Sequence, residues 1–213
     1  MSLRLTTRPA AEPVDLDYFQ AHSKIDAGGS DDADAQAKLT AAIRGIEQET
    51  GRDRLLQSTW EFRLPCFPCV HLIELPLPQV QSISHIKYTD SAGVLQTMTS
   101  GDYHIVGEYS PVAAALDAGE NEATTGLAWV FLNYGKSWPA ATLQTGLPVV
   151  ITFVAGWAAP ENVPEDLKAA ICMQGAHLWR NREAVTIGRD AINSNALARG
   201  VESLISPYRM WRS

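Results

Sequence analysis

Hydrophobic positions recur with two different periods along this chain, and the period changes twice. In "VDLDYFQAHSKI", Leu16, Phe19 and Ser23 fall on one side of a short helix. Leu39, Ile43 and Ile46 then mark a longer helix, for which Ser30 is a candidate N-cap. Asp31, Asp32 and Asp34 fill its first turn, where acids complement the helix dipole, and Gly51 is its expected stop. From Arg54 the spacing becomes alternating. "LLQSTWEFRL" and "VQSISHIKYT" read as strands, and the second runs through the turn Asp90–Gly93 into "VLQTM" as a hairpin. "DYHIVG", "LAWVFLNY" and "LPVVITFVAG" add three more strands, with Pro111–Gly126 expected as a loop between two of them. Helical spacing returns after Pro164, where Leu167, Ile171, Gly175 and Leu178 share a face and Glu165 and Asp166 fill the first turn. Gly175 weakens a helix, so a close helix–helix contact is expected there. A polar link, "TIGRDAINSN", leads to an amphipathic segment, "ALARGVESLI", stopped by Pro207.

Composition narrows the function classes. With 46% hydrophobic and 19% charged residues, a chain of 213 residues can bury a real core and is not of disordered type. A net charge of −7 argues against a general phosphate-binding surface, which Lys and Arg must dominate. The odd count of three cysteines, with no apolar signal-peptide core near Met1, leads us to expect synthesis in a reducing cytoplasm. The most apolar run, Pro148–Ala159, is too short and Gly-interrupted for a membrane span.

Chemical motifs are few, and each has a packing explanation beside it. Cys66, Cys69 and His71 in "LPCFPCVHL" resemble half a metal site or a redox pair. A structural zinc needs a fourth ligand, and a redox cysteine needs a helix N-terminus, where Pro65 and Pro68 interrupt a β region instead. "YGKSWP" imitates the end of a phosphate-binding loop but has Val130 where that motif requires glycine. His177 lacks a metalloprotease frame, and the acids of 31–34 lack the glycine of a calcium loop. No catalytic, metal or cofactor residue is assigned. A carbohydrate-binding module would rest only on the strands and on aromatics expected to be exposed, such as Trp129, Trp138 and Trp157. The C-terminal region is different: Trp179, Arg180 and Arg182, then Tyr208, Arg209, Trp211 and Arg212, are residue types that anchor protein interfaces.

Taken in order, several segments resemble the head–tail connector (adaptor, or head-completion) proteins of long-tailed bacteriophages and prophages. They are "RPAAEPVDLDYFQAHSKID", "AAIRGIEQETGRDRLLQSTWEF", "LPLPQVQSISHIKYTDSAGVLQTM", "VVITFVAGW" with "VPEDLKAAICMQGAHLWRNREAV", and "VESLISPYRMWR". The stretch Tyr109–Gly126 departs from the family as an insertion, and the cysteines of "LPCFPCV" are not part of the likeness.

The resemblance implies an α+β fold: a small helical bundle from both chain ends (Val14–Ser23, Asp31–Thr50, Pro164–Arg182) with an inserted antiparallel β region, sandwich- or barrel-like. The implied division is 1–53, 54–158 and 159–213. It further implies a non-enzymatic virion neck protein, made in the bacterial host cytoplasm. Copies form a ring, dodecameric in the family, beneath the portal protein. The ring extends a channel through which DNA passes without sequence-specific binding, and it offers a platform to neck and tail completion proteins. The segment Ser206–Ser213 is implied to reach the portal. Acidic helix starts and a basic chain end suit the two unlike faces that a closed ring needs. The alternatives are a stopper or tail terminator in the same neck, or a small metal or redox protein using Cys66, Cys69 and His71.

Overall fold

A computed structural model describes residues 1–107, 127–181 and 199–210. The expected loop Pro111–Gly126 and the polar link 186–195 lie outside them. The chain forms two compact units, one of Met1–Ala10 with Gln57–Ala158 and one of Ala11–Leu56 with Ala159–Ser213.

The first unit is antiparallel throughout. Strands β1 (Ser2–Thr7), β2 (Ser58–Leu64), β3 (Leu72–Pro78), β4 (Val80–Thr89), β5 (Leu95–Thr97), β6 (Tyr103–Val106), β7 (Leu127–Leu132) and β8 (Val149–Ala155) make two sheets. Their orders are β1-β2-β8-β4-β5 and β3-β7-β6. The inward residues of both sheets share one core. Trp60 and Phe62 of β2 and Ile151 and Phe153 of β8 meet Ile73 and Leu75 of β3 and Val130 and Leu132 of β7. Every second residue of β2 and β7 is buried, which is why these sequences alternate. The sheets are not closed into a barrel, so the β region is sandwich-like.

Two strands escaped the sequence pattern. In β1, Leu3 pairs with Phe62 and Leu5 with Trp60, and both leucines pack on the β core. Residues 1–10 therefore join the β unit and not the helices, in contrast to the expected 1–53 division. β3 carries Pro76 and Pro78, which a central strand would not tolerate; among the described residues β3 pairs on one side only, with β7. Gln79, at φ 54, then turns the chain from one sheet into the other, and its carbonyl accepts the Gly156 N–H at 3.1 Å.

The second unit contains α1 (Leu16–Ser23), α2 (Asp32–Glu49), α3 (Glu165–Arg180) and a short helix α4 (199–205). α2 packs along α3, and α1 touches both. The N-cap position of α2 is Asp31, not Ser30, and it makes no side-chain cap. Asp32 does the local work instead, accepting Gly28 N–H at 3.1 Å and Gln20 Nε2 at 2.7 Å, which ties α1 to the start of α2. At the other end Gly51 adopts φ +71, just past the Thr50 cap, as the expected stop. The buried Glu47 accepts the Leu55 N–H at 3.1 Å and pairs with Arg44 and Arg54. Burial pushes its carboxyl above the usual range, while those three donors pull it back.

Gly175 is a close-contact glycine. A Cβ at this position would stand 2.6 Å from Cε2 of Phe19, a ring wholly buried between α1 and α3. The missing side chain therefore lets α1 approach α3. Gly175→Ala gains about 1 kcal/mol of helix propensity but overpacks this contact at a cost of about 1–3 kcal/mol. We expect a net loss of about 1 kcal/mol in denaturant unfolding. In a Phe19→Leu background the same change should cost measurably less; an equal cost in both backgrounds would exclude the ring as its cause.

Candidate partner-binding surface

Tyr208 and Met210 are held by the loop that follows α2. Arg52, 2% exposed, donates through Nε to the Tyr208 carbonyl at 3.3 Å, and the Met210 N–H donates to the Thr50 carbonyl at 3.0 Å. Gly51 lies between them, where a Cβ would already touch the Met210 Cβ at 3.4 Å. A buried guanidinium facing a carbonyl satisfies an acceptor that would otherwise be costly inside the unit. Burial lowers Arg52 to about 10, still charged at neutral pH. Burial, and then the Asp166 carboxylate, raise the Tyr208 hydroxyl, and Arg52 offsets part of that rise.

This anchoring sorts the residues expected at the interface. Tyr208, in the 3-10 turn Ser206–Tyr208, is buried, so it secures the segment from inside and offers no ring to a partner. Arg209 is half-buried and reaches Glu202 at 3.1 Å. Trp179 is half-buried and Arg180 exposed in the last turn of α3, and Asn181 closes that turn by bonding the His177 carbonyl and Nδ1. Arg182, Trp211 and Arg212 lie outside the described residues. At the opposite charge, Asp15 caps α1 through the Tyr18 N–H at 2.7 Å, and Asp31 and Asp34 stand at the start of α2. Between residues 11 and 34 seven acids face one lysine, Lys24.

The loop that carries the paired cysteines is fixed by packing. In "LPCFPCVHL" Phe67 stacks on Trp138 at 5.4 Å and meets Tyr88 edge-on at 5.6 Å. Trp138 in turn donates to the Val70 carbonyl at 2.7 Å. The loop is thus clamped by aromatics, and Cys66, Cys69 and His71 are exposed on its outside. Among the described residues no group of three or more metal-binding side chains comes together. Cys172 is buried in α3. Trp157 is buried and Trp129 and Trp138 are half-buried. No described helix is long and apolar enough to cross a membrane.

Arg52→Met leaves the Tyr208 carbonyl buried without this donor, a cost of about 1–3 kcal/mol. Tryptic cleavage after Arg209 should then quicken about tenfold, the rate equivalent of 1.4 kcal/mol; an unchanged rate would mean that other contacts hold the segment. Burial, then the Glu165 carboxylate, push the Cys172 thiol up to about 11, which leaves almost no thiolate near pH 7.5. A maleimide should therefore label two thiols per native chain quickly and the third only on unfolding; three equal rates would contradict this burial.

No family model and no curated protein matches the chain. Solved structures do. The chain is similar over 100% of its length, and over 97% of the other chain, to a chain in the neck of an empty gene transfer agent particle computed with C6 symmetry, at 22% identity and TM-score 0.73. A chain in the virion of the native gene transfer agent particle matches at 22% identity and TM-score 0.72, with the same coverage. A chain in the native neck computed with C12 symmetry gives 21% and 0.70, again over 100% and 97%. Both units, the helices from either side and the β region between them, thus recur together in a fold found in particle necks.

Proposed function

We propose that this protein is a structural part of the neck of a phage or phage-like particle, and within the neck the adaptor that rings the DNA exit beneath the portal. The observation that carries this is the full-length match in fold to chains from gene transfer agent necks. A fragment of likeness could reflect a common supersecondary motif; a match over all of both units is more demanding. A ring of twelve copies agrees with the twelvefold symmetry used for one of those necks. Ring formation needs two unlike faces on each subunit. The acid-rich stretch 11–34 and the arginine-bearing chain end provide opposite charges for them. The role needs no catalytic residue. An acidic average charge suits a channel wall that DNA must slide past without being gripped. The stretch beyond Met210, with Trp211 and Arg212, is the part we assign to the portal.

The test is assembly. Mixed with its portal ring, the protein should form a complex whose native mass corresponds to twelve added copies, with cryo-microscopy placing them on the portal's exit side. Copies found on the tail tube instead would identify a stopper or terminator. A soluble one-to-one pair, or no association with any neck component, would end the neck assignment.

A further inference from the structure

The turn after β7 holds a tyrosine out in water on a braced frame. Tyr134 is fully exposed. The residues around it are tied down: the Asn133 N–H donates to the Asp102 carbonyl at 2.9 Å, and its side-chain amide donates to the Gly101 carbonyl at 2.8 Å. Asn133 Oδ1 lies 2.6 Å from His104 Nδ1, and Lys136 closes the turn with Asp102 at 2.7 Å. Gly135, at φ +75, has nothing within 4 Å of the place a Cβ would take, so the ring stands beside bare backbone. A large ring wholly in water buries nothing within its own chain. Held on a rigid tip, it has already met much of the ordering cost that an interface anchor must meet.

The helical unit carries a hollow of matching kind. Pro13, Val14, Leu16 and Pro160 give it apolar walls; Glu12, Asp15 and Glu161 add carboxylates, and Lys168, which pairs with Glu165, one ammonium. Its volume of about 650 Å³ exceeds what a single tyrosine ring needs and leaves room for the turn that bears it. A phenol has one hydrogen-bond donor, and an ionised carboxylate only accepts, so the two are complementary.

We propose that Tyr134 of one copy is the anchor that enters the hollow beside α1 in the next copy, its hydroxyl donating to a lining carboxylate. Anchor and hollow are different surfaces of the chain, so the contact is heterologous and, repeated by rotation, closes a ring. The inference rests on the ring assigned above and names an apolar anchor within it, beside the charge pairing of 11–34 with the chain end. It also accounts for "YGKSWP", in which the tyrosine matters and the lysine only braces.

The experiment places p-benzoylphenylalanine at position 134 and irradiates the protein assembled on its portal. A cross-link between copies, mapped to residues 11–18 or 160–168, is the expected result. In parallel, Tyr134→Ala should weaken ring assembly about tenfold or more, as loss of an anchor does, with the unfolding midpoint unchanged; Tyr134→Phe should retain most of the assembly. Cross-links to the portal, to another region of a neighbouring copy or within a single copy, with the ring intact, would overturn this contact and leave the ring standing. If the unsubstituted protein forms no ring, the neck assignment fails and this contact fails with it.

Discussion

The helical unit depends on the closure of α2 on α3, two segments separated by more than a hundred residues of intervening chain. No disulfide assists: all three cysteines are free. Closing so long a loop costs entropy that rises only slowly with its length, so a compact β unit can be accommodated inside it. The return must come from burial. Leu39, Ile43 and Ile46 on α2 and Leu167, Ala170 and Ile171 on α3 are almost completely buried. Phe19 on α1 completes that packing only because residue 175 lacks a side chain. Tyr208 and Met210 are then held to the end of α2 by Arg52 and Thr50, so the course of residues 208–210 is set by the same closure.

Where one face of an element is buried and the other wet, the sequence pattern is unambiguous. This is the case for α2, β2 and β7, whose alternation or helical spacing matches their burial. Gly175 and Gly51 were also legible, since each is costly where it stands without a conformational or packing reason. β1 and β3 were not. β1 is a short edge strand beside Arg8-Pro9, and its signal is only Leu3 and Leu5; β3 contains two prolines that are acceptable only because it is an edge. Edge position is a tertiary fact, absent from local pattern. Ser30 failed as a cap for a related reason, because Asp32 satisfies the loop from inside the helix.

The candidate surface was legible as composition but not as geometry. Trp, Tyr and Arg near the chain end signalled contact, yet only the fold separates the buried Tyr208 from the exposed Arg180. Lys136 and the cysteines stand out by their chemistry. Tyr134 has no motif; its one signal was a tyrosine beside a glycine in a turn between apolar runs. The aromatic clamp on Phe67 shows the converse, in which chemically suggestive neighbours are positioned by a hydrophobic side chain.

The placement of β1 has a consequence for how such proteins can be recombined. The backbone passes between the two units three times, after Ala10, Leu56 and Ala158. Neither unit is therefore one uninterrupted stretch of coding sequence. An exchange that replaced 57–158 alone would bring in a foreign sheet and ask the resident first strand to pair with it, through Leu3 and Leu5 against Phe62 and Trp60. The β unit could be exchanged only together with residues 1–10, or where the new sheet accepts the old edge.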